Sequence, residues 1–295
     1  MQAPPLPAGF TKHQSGNRTI YHAVDLTEAI RELGFFDGAA TLPAVSTVQG
    51  RTGHGVYDLP RAGGRVLWKK CGRGGWIEPI LRDRYLNAAR FLDELAVTEA
   101  ARTQGASVPR ILAIADTRTA GGFHRIEVLT EMLEGARDGA ELLTPGGHPL
   151  PPDDSPMGAT LRRSVLSAMA RELRLFHGLG FVHGDLNVKN VLWRVTEDDS
   201  VAVTLIDLDP GSSPLRAHSP LSNLLRLHRS YWKGVLKRTW RLSATDQYRF
   251  LYEYFRGDRA GLRDFWQSAR RQAQRQALRR GQRLTPLEPR RLSPL

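Results

Sequence analysis

Three side chains in the middle of the chain have the types and spacing that phosphoryl transfer needs. Asp185 lies in His183-Gly184-Asp185-Leu186-Asn187-Val188-Lys189-Asn190, with Asn190 five residues after it, and Asp207 sits in the run Leu205-Ile206-Asp207-Leu208-Asp209. A carboxylate at Asp185 can meet an acceptor hydroxyl, while an amide and a second carboxylate can hold Mg²⁺ against the phosphates of ATP. Asp and Asn are also ordinary turn formers, so the surrounding elements must decide. Those elements fit. A helical stretch from Leu161 to Leu179, with Leu166, Met169, Ala170, Leu173 and Phe176 on one apolar face, feeds the loop. Val191-Leu192-Trp193 leaves it as a short strand, and a turn and second strand deliver Asp207. Helix, loop, strand, turn, strand is the context in which this spacing carries meaning.

Within the loop, Asp185 is the expected base, orienting the hydroxyl and taking its proton late; Asn190 and Asp207 are the expected metal ligands. His183 reads as structural, holding the loop by hydrogen bonds. Protein kinases often carry a lysine two residues after the base; here Asn187 stands there. Lys189 is then the candidate for the γ-phosphate contact, with a solvated lysine as its alternative.

The preceding sequence reads as the nucleotide half of such a site. Gly50, Gly53 and Gly55 sit among β-prone residues and permit close backbone approach to phosphates, as a plain hairpin turn also would. Arg65-Val66-Leu67-Trp68-Lys69-Lys70 reads as a strand, and alternation lets only one lysine enter a cleft: Lys69 is preferred, Lys70 the rival. Arg73, beside Gly74-Gly75, is a candidate for an anionic group of the substrate, or a surface arginine. Arg84 to Gln104 reads as one or two helices and carries Glu94 and Glu99, one of which should pair with the strand lysine. Arg125 to Gly135 reads as a strand running to a hinge, where backbone groups of Glu131 and Leu133 would meet adenine.

Composition sets the outer bounds. The chain has 295 residues, 41% hydrophobic and 24% charged, which suffices for a sizeable core. Its net charge of +12 calls for an anionic partner: nucleic acid, anionic membrane or phosphorylated substrate. Residues 256–295 hold eleven Arg against Asp258, Asp264 and Glu288, a surplus of eight at one end. The single Cys71 excludes an intramolecular disulfide and a cysteine-rich zinc site, and fits a reducing compartment. The opening residues show no signal-peptide core, and no apolar run reaches the ~18 residues of a spanning helix.

Together these segments resemble the lipopolysaccharide kinase family, and within it the 3-deoxy-D-manno-octulosonic acid (Kdo) kinases. The resemblance rests on Arg73-Gly74-Gly75, Asp83-Arg84-Tyr85, the His183–Asn190 loop, Leu205-Ile206-Asp207-Leu208-Asp209, and Asn223-Leu224-Leu225-Arg226-Leu227 with Arg229-Ser230. It spans roughly residues 48 to 235. The family's distance from helix glutamate to a Val-Pro pair selects Glu94 over Glu99.

The resemblance implies an α+β, protein-kinase-like fold of two lobes. The expected division is a poorly ordered N-terminus over 1–20, a mainly β N-lobe over 21–135, a mainly α C-lobe over 136–255 and a basic C-terminal helix or tail over 256–295. It implies ATP and Mg²⁺ as cofactors, and transfer to a Kdo hydroxyl on a lipid A precursor at the cytoplasmic face of the inner membrane. The expected partners are that lipid and the anionic inner-membrane surface, with no nucleic acid and no stable protein partner. Three rivals stand beside it: a small-molecule kinase of the aminoglycoside phosphotransferase type, which would favour an acidic pocket; an atypical protein kinase on a nucleic-acid-associated complex; and a kinase-like scaffold, which has no need of Asp185, Asn190 and Asp207 together.

Overall fold

A computed structural model of the chain describes residues 5–48, 54–72, 85–144, 156–208, 219–237 and 239–279. The first half builds one antiparallel sheet from β1 (Phe10–Ser15), β2 (Arg18–Ala23), β3 (Ser46–Val48), β4 (His54–Asp58), β5 (Arg65–Lys70), β6 (Ile111–Arg118) and β7 (His124–Glu131), ordered β1-β2-β6-β7-β5-β4-β3. Alternation along β7 shows how the sheet makes two cores. Ile126 and Val128 face helix α2 (Ala89–Thr103), which contributes Phe91, Leu92 and Leu95. Leu129 faces the other way, toward Ile30 of helix α1 (Thr27–Glu32) and the following Leu33 and Phe35. Each such fully buried side chain contributes about 1.5–3 kcal/mol.

The α1 side also encloses charge. Arg18 is bonded to Glu127, to Thr117 Oγ1 at 2.8 Å and to the carbonyl of Phe35 at 2.9 Å. Trp68 Nε1–H donates to the same Glu127 at 3.2 Å. Arg18 and Glu127 are 8% and 9% exposed, and the pair is tolerated because Nη1, Nη2 and both Glu127 oxygens are bonded, although Arg18 Nε has no partner among the described residues.

The expectation of a poorly ordered segment over 1–20 is corrected from residue 10 onward, because β1 and β2 extend the sheet beyond β6. The prolines that argue against order end at Pro7, whereas Arg18, Ile20 and His22 alternate and are buried.

A short connection, pinned where Met132 N–H donates to Arg65 O at 2.9 Å, leads to the second half. It comprises β8 (Arg137–Asp138), α3 (Gly139–Leu143), α4 (Pro156–Gly178), β9 (Val191–Val195), β10 (Val201–Leu205), α5 (Pro220–Leu236), α6 (Ala244–Phe255) and α7 (Arg259–Leu278). The α4 stripe is its spine. Val165, Met169, Leu173 and Phe176 pack with Leu205, Leu224, Leu251 and Phe265. A β lobe crossed by one long helix, joined to a helical lobe that carries its key loop between α4 and β9, is the two-lobed, α+β protein-kinase-like fold.

Of the expected basic C-terminal helix or tail, the part through Leu278 is a packed helix. It is helix α7, whose Phe265, Ala269, Ala273 and Ala277 are buried, with Phe265 and Ala269 joining the core of the helical lobe. Small residues every fourth position let α7 lie close on α5, while its arginines face outward.

Candidate active site

The loop after α4 is held by its backbone and aimed by it. His183 is 1% exposed. Its Nδ1 accepts from the N–H of Asp185 at 3.1 Å, so the proton sits on Nε2, which donates to the carbonyl of Ile206 at 2.9 Å. This is the structural role expected of it. Asn187 caps the short turn Val188–Asn190 by accepting from Lys189 N–H at 2.9 Å. Its Nδ2 donates to Asp185 O at 3.1 Å, and Asn190 Nδ2 donates to the same carbonyl at 3.0 Å. Two side-chain amides therefore grip the backbone of Asp185 while its carboxylate stays 61% exposed in the cleft.

Asp207 is aimed by the same device from the far side. The N–H of Ile206 donates to Asn190 O at 3.0 Å, and its carbonyl is the acceptor for His183. With its neighbour pinned at both ends, Asp207 holds a left-handed backbone at φ 55°. That conformation costs a non-glycine residue about 1–2 kcal/mol and persists only where the surroundings over-determine it. It turns the Asp207 carboxylate toward β5, where Lys69 Nζ lies 3.4 Å away.

Lys69, not its rival Lys70, is thus the strand lysine that meets Asp207. Asp207 stands within ion-pair reach of Lys69 because its turned backbone brings the carboxylate to the ammonium. Glu94 does belong to this region. The thiol of Cys71, just past β5, is pushed up to about 12, first by burial and next by the Glu94 carboxylate, against the opposing effect of Lys69. Glu99 is engaged elsewhere, with Arg102 at 2.9 Å.

A second helix supplies residues to which sequence reasoning assigns no role. Asn223, Arg226 and Ser230 lie at i, i+3 and i+7 of α5, on one face, and all three meet the loop. Arg226 Nη1 is 3.1 Å from Asp185 Oδ1. Ser230 Oγ accepts from Val188 N–H at 3.3 Å. Asn223, 3% exposed, accepts from His183 N–H at 3.1 Å and donates to His183 O at 2.6 Å. Its Oδ1 also accepts from His177 Nε2–H at 3.0 Å, and His177 Nδ1 accepts from the Tyr254 hydroxyl at 2.6 Å. This needs a neutral imidazole, and burial lowers the His177 pKa accordingly. The chain Tyr254–His177–Asn223–His183 ties α6, α4 and α5 to Asp185.

A family model described as "Lipopolysaccharide kinase (Kdo/WaaP) family" matches residues 45–254 of this sequence. The chain belongs to the lipopolysaccharide kinase (Kdo/WaaP) family. This kinase is 30% identical over 186 residues to the 3-deoxy-D-manno-octulosonic acid kinase of Pasteurella multocida, covering 62% of this chain and 72% of that protein. It is 32% identical over 177 residues to the enzyme of that name from Photobacterium profundum, covering 59% and 67%. Among solved structures, "WaaP in complex with acyl carrier protein" superimposes with a TM-score of 0.45 at 19% identity, covering 77% of this chain and 88% of that one.

As a member of this family the kinase is a phosphotransferase, and its remaining candidate residues can be placed accordingly. Gly50, Gly53 and Arg73 lie outside the described residues. Gly55 has a packing reason of its own, since a Cβ there would lie 2.5 Å from the ring of Tyr57. Glu131 N–H donates to Arg110 O at 2.9 Å inside the sheet, so that group does not face a nucleotide. Leu133 N–H has no partner among the described residues, and its carbonyl accepts from Ala136 N–H at 3.2 Å. Lys189 is exposed.

For a metal, the kinase offers oxygen donors: the Asp207 carboxylate and the Asn190 Oδ1, left over when Nδ2 binds Asp185 O. Among the described residues no three His, Cys, Asp or Glu cluster as a metal cage. Few protein oxygens, with phosphates and water completing the shell, is the donor set that suits Mg²⁺.

Proposed function

We propose that this kinase transfers the γ-phosphoryl group of ATP to a hydroxyl of Kdo on a lipid A precursor. The observation that carries the reading is the exposed carboxylate of Asp185, its backbone held by Asn187 and Asn190, facing a cleft whose other wall presents Asp207 and Lys69. The acceptor is supported by relatives named for Kdo phosphorylation that share 30% and 32% identity over 72% and 67% of their lengths.

In the proposed step a Kdo hydroxyl donates its hydrogen bond to Asp185. Its oxygen forms the new bond to the γ-phosphorus as the bond to the β–γ bridging oxygen breaks. The hydroxyl proton passes late to Asp185, and the bridging oxygen leaves on ADP. Asn190 and Asp207 would hold Mg²⁺, which would supply charge neutralisation at the phosphates. Lys69 contacts the α and β phosphates, with Glu94 near it; Leu133 N–H is the hinge donor for adenine. Catalysis of this kind is positioning and electrostatics, which is why so many bonds here are made to the loop backbone.

The lipid acceptor also gives the basic charge a purpose. Arg259, Arg263, Arg270, Arg271, Arg275 and Arg279 are exposed along α7, with Asp264 the opposing charge. An array of this kind supports peripheral docking on the anionic cytoplasmic leaflet, at about 1 kcal/mol per basic residue near the surface. No helix among the described residues is long and apolar enough to cross a membrane.

The test is transfer of label from [γ-³²P]ATP to a Kdo-bearing lipid A precursor. Free Kdo, an aminoglycoside and a generic protein run in parallel, each with and without Mg²⁺. Mg²⁺-dependent label in the lipid is the expected result. Label in the aminoglycoside or protein instead would discard the lipid acceptor and keep the phosphotransferase.

A further inference from the structure

The loop carries no cation two residues after its base. Asn187 stands there, with its Nδ2 directed to Asp185 O and its Oδ1 to Lys189 N–H. The side chain of Lys189 is exposed and has no ion partner among the described residues. The cation that does meet Asp185 comes from α5, forty-one residues away: Arg226, with Nη1 3.1 Å from Oδ1.

Three features fit Arg226 for more than holding that carboxylate. A guanidinium has five N–H donors in a planar fork; among the described residues only the bond from Nη1 to Asp185 uses one. The side chain is 33% exposed, open to the cleft. Its position is fixed from both sides along one helix face, by Asn223 on His183 and by Ser230 on Val188. An acceptor oxygen hydrogen-bonded to Asp185 sits about 2.7 Å from the carboxylate. The phosphorus it attacks is about 3–3.5 Å further on. The equatorial phosphoryl oxygens then fall within reach of the free side of a guanidinium already bonded to that carboxylate.

We propose that Arg226 is a catalytic residue of the phosphoryl transfer: it steadies the Asp185 carboxylate through Nη1 and donates its remaining N–H groups to the transferring phosphoryl group. It thereby does from α5 what a loop lysine would do from position 187. The proposal rests on the phosphotransfer reading but not on the identity of the acceptor. Because Asp185 pre-orients the fork, no reorganisation is needed as charge spreads over the phosphoryl oxygens, the condition under which such a donor is worth most.

The experiment uses the full chain with Arg226→Gln and Arg226→Lys. It measures single-turnover transfer, acceptor KM, ADP affinity, and affinity for ADP with aluminium fluoride, a mimic of the phosphoryl group in flight that needs no acceptor. For Arg226→Gln, transfer is expected to fall by about 10²–10³, the loss typical of removing one such donor. Affinity for ADP–aluminium fluoride should weaken with it, while ADP affinity and acceptor KM hold. Arg226→Lys should recover part of both losses. A merely positioning arginine predicts otherwise: unchanged ADP–aluminium fluoride affinity, and a rate deficit confined to the acid limb of the pH profile. Either that pattern or an unchanged rate overturns the proposal. If wild type transfers to no acceptor yet binds ADP–aluminium fluoride more tightly than the glutamine variant, the acceptor reading fails and the Arg226 assignment stands. If wild type does not bind the mimic, both fall.

Discussion

Replacing Asn223 by alanine tests how the catalytic loop is held. The side chain is 3% exposed and serves three groups: it accepts from His183 N–H and His177 Nε2–H and donates to His183 O. Alanine removes every partner at once and leaves two buried donors and one buried acceptor unsatisfied. Each such group costs about 1–3 kcal/mol. Losses within one network are not additive, and partial relaxation will recover some. The expected destabilisation is therefore about 3–6 kcal/mol, a large share of the 5–15 kcal/mol typical of a folded domain. Urea unfolding followed by tryptophan fluorescence measures it as a lower midpoint at unchanged slope. At substrate saturation kcat should fall too, because the Asp185 N–H bond to His183 loses its anchor. A loss below about 1 kcal/mol, no more than one ordinary hydrogen bond, would refute the claim that Asn223 is the node joining α4, α5 and the loop.

Other parts of the fold make equally definite predictions. Glu127→Ala leaves Arg18 charged and buried beside Trp68, and should cost about 3–5 kcal/mol by urea unfolding; a near-neutral result would mean the N-lobe pair is solvated. Trp232 Nε1–H donates to His228 Nε2 at 2.7 Å, so a second proton on that ring would face a donor, and burial lowers the His228 pKa to about 4. The unfolded ring takes up its proton near pH 6.5 and the folded one only near 4. Stability from His228 is therefore full above pH 6.5 and lost as pH falls toward 4, at up to about 1.4 kcal/mol per pH unit. The stability difference between wild type and His228→Leu, measured from pH 4 to 7, should carry that slope; a pH-independent difference contradicts it. Cys71, the single thiol, is half-buried and pushed up to about 12, so it should alkylate slowly at pH 8 until the chain is unfolded, as mass spectrometry after an iodoacetamide pulse would show; labelling of folded protein as fast as unfolded would contradict the raised pKa.

What the sequence makes legible here is what lies close along the chain. Asp185, Asn190 and Asp207 fall within one loop-and-hairpin unit, so spacing alone brings them together, and the structural part played by His183 follows from its place in that unit. Strand alternation separates Lys69 from Lys70, and Lys69 is the one beside Asp207. It cannot tell which carboxylate Lys69 meets, because that depends on the turned backbone of Asp207, 138 residues away. Asn223 and Arg226 are hidden for the same reason: their worth depends on where α5 crosses the loop. A signal was present, three polar residues at i, i+3 and i+7 of an otherwise amphipathic helix. At the two ends, composition misleads. Prolines before residue 8 mask the alternation of β2, and the arginines of α7 mask the buried stripe Phe265, Ala269, Ala273 and Ala277.

The central claim is that Asp185 performs the transfer from a site that binds nucleotide without it. The most direct measurement is single-turnover phosphoryl transfer from [γ-³²P]ATP by wild type and Asp185→Asn, with ATP affinity determined on the same preparations. The account predicts a rate lower by about 10²–10⁴ in the variant, the usual worth of a positioned general base, at unchanged ATP affinity. Transfer by Asp185→Asn at the wild-type rate would contradict it.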